Sequence, residues 1–466
     1  MEYLVRFVQI HETFRLPELR SLSALAGVEV EVVEYSDDSP YCIIKLQTED
    51  DAKRLIRRSI LAAAIYELWG IGPDYASLHE DVKERSSHLW PQYKTGTFSF
   101  QIDSFKGKRN QSDKSGIIES FKFVGFTGKI TMKNPDEEFV ILEEYPHQTT
   151  AEPKRVALGR LLGMSTRSVV QTYDLKKRKY ISTTSMDSEL ALVTANMALA
   201  GPGKLMYDPF TGTGSFPIAC AEFGTTVLGS DIDGRSIRGT PKRNVVSNFV
   251  QYGTLHRYLD GFVSDLTNSP LRGCLGGLGG RKGRWLDGIV CDPPYGVREG
   301  LKVLGSVKED LKKEVILPNG VPAHLQAGYI PPKRAYSFEA MLDDILDFGY
   351  DMLVDNGRLC MWMPTANDED TEIAIPSHPA MRLVSVSVQQ FNKWARRLLT
   401  YERIPEDQID EAALRSRIRK AEIAGTTASE LNAFRRKYFE GFRDQPVEQN
   451  PPKRRGFWIS PSIWIR

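Results

Sequence analysis

Asp208-Pro209-Phe210-Thr211-Gly212-Thr213-Gly214-Ser215 and Asp292-Pro293-Pro294-Tyr295-Gly296 are the two runs that decide how this sequence folds. Each follows an apolar stretch that reads as a buried strand: Lys204-Leu205-Met206-Tyr207 before the first, Leu286-Asp287-Gly288-Ile289-Val290-Cys291 before the second. A glycine-rich turn between a strand and a helix lets backbone come close to a ligand, because glycine has no Cβ and tolerates positive φ. In open α/β sheets such turns lie outside the carboxyl ends of the strands, where cofactors bind. The second run offers a carboxylate and the carbonyl of a residue followed by proline, held by two stiff φ angles. Those acceptors suit the N–H groups of an amine or amide, and Tyr295 adds a ring on which a planar base can stack.

A strand, an acidic glycine-rich turn and a later Asp-Pro-Pro-Tyr together resemble the amino-methyltransferases that use S-adenosylmethionine (SAM). On that resemblance Asp208, Pro209, Phe210, Thr211, Gly212, Gly214 and Ser215 are expected to bind the cofactor. Pro217 to Phe223 reads as the following helix, ended by Gly224, and Thr225 to Ser230 as the second strand. An acid at the end of that strand, about 20 residues after the glycines, is placed to accept from ribose hydroxyls. Asp231 takes that role, with Ile232 against the adenine. Asp265, near the end of the third strand's segment, is expected to meet the adenine amino group. A dinucleotide site would want Gly-x-Gly-x-x-Gly, whereas this turn reads Gly212-Thr213-Gly214-Ser215-Phe216-Pro217. The missing third glycine and the opening Asp208 favour SAM over NAD.

The 466 residues are enough for two to four domains of roughly 100–200 residues each. A hydrophobic fraction of 41% supports real cores, while a net charge of +1 leaves any nucleic-acid surface to be local. Five scattered cysteines without a Cys-x-x-Cys pair argue against a disulfide framework or zinc site and for a reducing, cytoplasmic location; no metal is expected. No stretch approaches the ~20 apolar residues of a membrane span.

Ahead of the glycine turn the pattern is α+β. Tyr3 to Ile10, Val28 to Val33 and Tyr41 to Leu46 read as strands, and Pro17 to Ala26 as a helix with proline in its first turn and Gly27 closing it. Thr48 followed by Glu49-Asp50-Asp51 is a helix start, and a second helical pattern runs from Ile60 to Leu68. Ser77 to Trp90 and Ser112 to Phe123 read as helices. Phe98 to Ile102, Gly128 to Met132, Glu138 to Leu142 and Val156 to Gly163 read as strands. The basic turn Lys106 to Asn110 reads as solvated surface, with an RNA contact as the alternative. Beyond the turn, Arg235 to Phe249 reads as one helix and Gly273 to Gly283 as a loose loop. Residues 298–335 read as a long substrate-facing connection, and Leu383 to Phe391 with Arg397 to Tyr401 as an antiparallel pair. The charged tail from Glu406 reads as a solvated helix, with RNA phosphates as the alternative.

With Tyr173 to Tyr180, Thr184-Ser185-Met186-Asp187, Gly229 to Asp233 and Asp292 to Gly300 added, the chain resembles the THUMP-containing tRNA guanine-10 N2-methyltransferases, in their eukaryotic catalytic-subunit branch. The resemblance implies an α/β fold: a ferredoxin-like module at 1–75 and a THUMP domain at 76–180. A Rossmann-fold methyltransferase with a mostly parallel seven-stranded sheet would then fill 181–405, followed by a helical tail at 406–466. It adds Thr184 to the cofactor-binding residues and implies two partners, tRNA and a small zinc-binding activating subunit. Asp292 and the Pro293 carbonyl would then accept from guanine N2, with Pro294 stiffening the turn and Tyr295 stacking on the flipped base. Two rival readings stay open. One is an amino-methyltransferase acting on guanine N2 of rRNA or snRNA, or on adenine N6 of DNA. The other is a tRNA-binding scaffold with no activity.

Overall fold

In a computed structural model the chain builds two seven-stranded sheets. Residues 1–147, 152–271, 275–276, 282–297, 300–306, 315–326, 329–366, 374–391, 394–419 and 429–440 are described. The first sheet comprises β1 (Glu2–Phe7), β2 (Glu31–Glu34), β3 (Tyr41–Lys45), β4 (Ala62–Gly72), β5 (Phe98–Phe105), β6 (Glu137–Glu144) and β7 (Arg155–Met164), in the order β2-β3-β1-β4-β7-β6-β5. Helices α1 (Glu12–Ala26), α2 (Glu49–Ile56), α3 (Tyr75–Ser86), α4 (Trp90–Tyr93) and α5 (Gln111–Ser120) connect its strands. The strands of both spans expected as separate N-terminal modules lie in this one sheet, because β4 pairs with β7.

Three local expectations change here. The pattern from Ile60 to Leu68 is not a helix but most of β4, which pairs with β1 on one side and β7 on the other. Its alanine-rich sequence favours a helix locally. As a central strand buried on both faces it shows no alternation to reveal itself. Helix α1 begins at Glu12 rather than Pro17, so the proline lies inside it. Proline has no N–H for the carbonyl four residues back, and that carbonyl, on Thr13, accepts instead from Ser387 Oγ at 3.0 Å. Gly128 to Met132 contributes only a bridge between Phe98 and Ile130. The Thr48 start holds: its side chain accepts from Asp51 N–H while the Asp51 carboxylate accepts from Thr48 N–H.

The second sheet takes β8 (Leu205–Asp208), β9 (Thr226–Asp231) and β10 (Tyr258–Val263). After the two-residue β11 (Leu275–Gly276) and β12 (Lys282–Gly283) comes β13 (Leu286–Cys291), and β14 (Lys302–Leu304) and β15 (Lys333–Ala335) form a separate pair. β16 (Leu353–Ala366), β17 (Met381–Gln390) and β18 (Trp394–Arg403) complete the sheet, in the order β10-β9-β8-β13-β16-β18-β17. Its first five strands run parallel, β18 runs against both of its neighbours, and β17 at the edge returns to the common direction, the mostly parallel Rossmann-type arrangement anticipated from the sequence. The helices are α6 (Val169–Thr172), α7 (Ser188–Met197), α8 (Ser215–Glu222), α9 (Gly234–Arg238), α10 (Val245–Gln251), α11 (Phe338–Met352), α12 (Glu411–Ser416) and α13 (Ala433–Glu440). The stretch read as one helix from Arg235 to Phe249 is therefore two, broken where Gly239 takes φ +47° and resumed where Asn244 caps α10. The 298–335 connection is pinned at its base by the antiparallel pair β14–β15. Gly273 to Gly283 lies mostly outside the described residues. The tail is not simply solvated, since Leu431, Asn432 and Phe434 are buried.

One hydrophobic core joins the two sheets' surroundings: Phe14, Leu19 and Leu22 of α1 share it with Leu192 and Ala195 of α7 and Trp362 of β16. Phe14 lies over Trp362 with ring centroids 5.8 Å apart.

Candidate active site

Chain order reverses at β8: β9 and β10 lie to one side and β13 and β16 to the other. That reversal opens a crevice at the strands' carboxyl ends. Asp208 ends β8 and is 1% exposed. Its Oδ1 accepts from Phe210 N–H at 2.9 Å, while its Oδ2 has no partner among the described residues. Burial pushes the carboxyl well above its usual range, and Asp231 and Asp292 push it further. An orphaned buried carboxylate oxygen beside a glycine turn fits a ligand that brings a cationic donor. The turn is held by Thr211, whose N–H reaches Ser230 O at 2.8 Å and whose hydroxyl donates to Asp208 O at 2.8 Å. Gly212 and Gly214 take φ of +52° and +87°, which a Cβ would strain. Ser215 opens α8 and accepts from buried Arg178 at 3.0 Å. Pro209 is buried and Phe210 half-buried.

Asp231 ends β9 and ties it to the turn: Oδ2 accepts from Gly212 N–H at 2.9 Å and Oδ1 from Asp233 N–H at 2.8 Å. Burial raises its carboxyl, and those two N–H groups pull it back. Each oxygen keeps a second lone pair for a hydroxyl donor. The carbonyl of half-buried Ile232 accepts from Lys333 Nζ at 2.9 Å. Asp265, read from the sequence as an adenine contact, gives Oδ1 to Thr267 N–H at 3.0 Å and Oδ2 to Leu304 N–H at 2.6 Å. Lys333 and Asp265 thus root the β14–β15 hairpin at the ends of β9 and β10. Thr184 is exposed, its hydroxyl 3.1 Å from Ser182 Oγ. Its neighbour Ser185 makes the contact to the turn, at 2.7 Å from Thr213 Oγ1. Asn248, which sequence reasoning missed, donates to Tyr180 O at 2.8 Å and to Thr213 O at 3.2 Å, fastening this segment over the glycines.

The second motif stands beside the first because β13 is β8's parallel neighbour, with Ile289 opposite Tyr207. Asp292 lies just past the end of β13, and its side chain is 21% exposed. Tyr295 donates its hydroxyl to Asp292 Oδ1, and Arg396 Nη1 stands 3.9 Å from Oδ2. Burial raises the Asp292 carboxyl; Arg396 and the Tyr295 hydroxyl oppose it. Pro293 is buried and Pro294 exposed. The Tyr295 ring meets Trp394 edge-on at 6.3 Å, and Trp394 stacks on Phe391 at 4.6 Å. Arg396 also lies 3.7 Å from Asp187 and 4.6 Å over the Trp362 ring. It was not anticipated: within Trp394-Ala395-Arg396-Arg397 nothing marks one arginine from the next.

Parallel strand order, a glycine turn at its reversal and an acidic Asp-Pro-Pro-Tyr turn on the adjacent strand define a Rossmann-type methyltransferase domain, here joined to an N-terminal α+β unit. Residues 1–167 match the family model described as the Tmrp11 THUMP N-terminal domain. The tRNA (guanine(10)-N(2))-methyltransferase of Saccharomyces cerevisiae is 43% identical over 410 residues, spanning 86% of this chain and 92% of its own. That of Schizosaccharomyces pombe is 37% identical (94% and 96%), and that of Rattus norvegicus, TRMT11, is 34% identical (94% of each). The chain belongs to the tRNA (guanine(10)-N(2))-methyltransferase family.

Proposed function

We propose that this chain transfers a methyl group from SAM to the exocyclic N2 of a guanosine in tRNA, guanosine 10 by its relatives. The observation that carries the reading is the adjacency of Asp208 and Asp292 at the carboxyl ends of neighbouring parallel strands. It puts an acceptor for a cationic cofactor and an acceptor for an amine in one crevice. When bound, SAM supplies an electrophilic methyl on its sulfonium. Asp208 would meet its ammonium group, the turn Pro209 to Ser215 its flank, and Asp231, Ile232, Asp265 and Thr184 its adenosine end.

Guanine N2 is a poor nucleophile because its lone pair is delocalised into the ring. Asp292 and the Pro293 carbonyl would accept from its two N–H groups and localise that pair, and Asp292 would take the proton released when the methyl passes from sulfur to nitrogen, breaking one S–C bond as the N–C bond forms. Pro294 keeps the turn rigid, and Tyr295 stacks on a base flipped out of the tRNA. Positioning supplies most of the remaining acceleration. The N-terminal spans 1–75 and 76–180 serve as ferredoxin-like and THUMP modules that hold the tRNA, ahead of a catalytic span at 181–405 and a tail at 406–466.

The partner is a small zinc-binding activating subunit. Edge strand β10 exposes Leu259 and Val263, and Val246, Val250 and Leu255 stand exposed beside it. An apolar edge unpaired among the described residues suits a partner that adds a strand. The four described cysteines are buried and free, which supports a reducing cytoplasm, and no helix among the described residues is long and apolar enough to cross a membrane.

Two measurements test the reading. Nucleoside mass spectrometry of tRNA from cells lacking the protein should show loss of N2-methylguanosine; loss from rRNA, snRNA or DNA instead would move the substrate. With the purified complex, Asp292→Ala should slow transfer to tRNA by about 10²-fold or more, leaving SAM affinity by calorimetry unchanged. Retained transfer would reject Asp292.

A further inference from the structure

We infer that Asn432, which caps α13, and Arg435 in its first turn are positioning residues for the Asp292–Tyr295 turn. Once the chain leaves β13 at Cys291 no strand among the described residues satisfies its backbone, and three successive carbonyls turn to side chains. Tyr295 O accepts from Asn432 Nδ2 at 2.8 Å. Gly296 O and Val297 O both accept from Arg435 Nη1, the latter at 2.7 Å. These partners come from far along the chain, from a segment whose arginines and lysine read as solvated charge.

The fit is close. Gly296 takes φ +75°, and a Cβ there would stand 2.7 Å from Asn432 Nδ2. Glycine at this position serves both the backbone twist and the approach of α13. Asn432 is 2% exposed and divides its amide. The oxygen accepts from Arg435 N–H at 2.9 Å, capping α13, and the nitrogen holds the turn. Phe434, 1% exposed, meets Trp394 at 5.9 Å, and Trp394 is the ring against which Tyr295 rests. Leu431 O accepts from Phe338 N–H, which ties the segment to the start of α11. The helix therefore grips Tyr295 from its backbone and, through Trp394, from its ring. The Tyr295 hydroxyl in turn sets the angle of the Asp292 carboxylate.

The inference rests on the methyl-transfer reading, and substitutions in the full chain with its partner test it. Asn432→Asp keeps the capping oxygen but replaces the donor to Tyr295 with an acceptor. Arg435→Met removes both carbonyl contacts, and Arg435→Lys restores one donor. Asn432→Asp and Arg435→Met should lower kcat about 10- to 100-fold, the cost of a small misplacement of reacting groups. KM for tRNA and the Kd of S-adenosylhomocysteine should stay within about two-fold, and Arg435→Lys should regain part of kcat. Hydrogen exchange of a peptide covering 292–297 should quicken in the first two variants. Unchanged kcat overturns the inference. So does an equal loss of S-adenosylhomocysteine binding, which would mean general unfolding, or a raised KM at constant kcat, which would mean an RNA contact. A wild-type complex inactive on tRNA would refute the methyl-transfer reading, while exchange at 292–297 would still decide whether α13 holds the turn.

Discussion

At the scale of single residues, the crevice gathers carboxylates partly or wholly withdrawn from water: Asp208 is buried, while Asp231 and Asp292 are half-buried. A carboxylate that accepts from an amine must be ionised, yet burial raises Asp292 above its ordinary value. Arg396, 3.9 Å away, is the cation that opposes this. The rate should therefore fall as pH drops through the raised Asp292 value. Arg396→Met removes the opposing charge, so the acid limb of the single-turnover profile should move to higher pH, and Arg396→Lys should return it partway. A profile unmoved in Arg396→Met would mean that another group sets the limb. The places of Asp208, Asp231 and Asp292 at the ends of β8, β9 and β13 were legible in the sequence because each acid closes an apolar run, and the motifs recur in a fixed order along the chain. Arg396, Asn432 and Arg435 were not, because long polar side chains are common and only tertiary contact shows which face inward. The backbone partners of Asp265, Leu304 and Thr267, were not legible, since they depend on where the β14–β15 pair docks.

At the scale of elements, strands beside motifs were readable, while β4 was lost to its alanines and Pro17 misplaced the start of α1. Both errors have one cause: a local preference overruled by a distant partner, β1 and β7 for one and Ser387 for the other. The 298–335 connection, read from its length as substrate-facing, is fastened at its base to the ends of β9 and β10, where the adenosine half of a cofactor would lie. Lys333 makes this attachment by donating to Ile232 O and by facing Asp231 and Asp233. Lys333→Met should loosen that end and weaken S-adenosylhomocysteine binding by about 1 kcal/mol, or about five-fold in Kd. KM for tRNA should hardly move; a selective rise in it would return the hairpin to the substrate side.

At the scale of the molecule, the N-terminal unit is locked to the catalytic one rather than tethered. Glu18 of α1 is 1% exposed and accepts from Ser59 Oγ, Ile60 N–H and Leu61 N–H within its own unit, and from Asn196 of α7 at 2.7 Å. Asn196 Oδ1 in turn accepts from Arg58 at 2.9 Å. One amide therefore serves a buried acid and a half-buried arginine from the other unit, across the continuous core around Phe14 and Trp362. A rigid junction of this kind fixes the distance between the N-terminal unit and the crevice at the carboxyl ends of the second sheet. Asn196→Ala should cost about 3 kcal/mol, because it removes hydrogen bonds to two charged partners; calorimetry should show one unfolding transition for the wild type, as the shared core predicts, and two for the variant. Asn196→Asp should cost more at neutral pH, since it sets a second carboxylate against Glu18, whose own carboxyl burial already raises. Lowering the pH lets one of the paired acids take a proton, so the extra deficit of Asn196→Asp over Asn196→Ala should shrink as pH falls. A deficit that stays constant with pH would show that Glu18 and position 196 do not share the junction's charge.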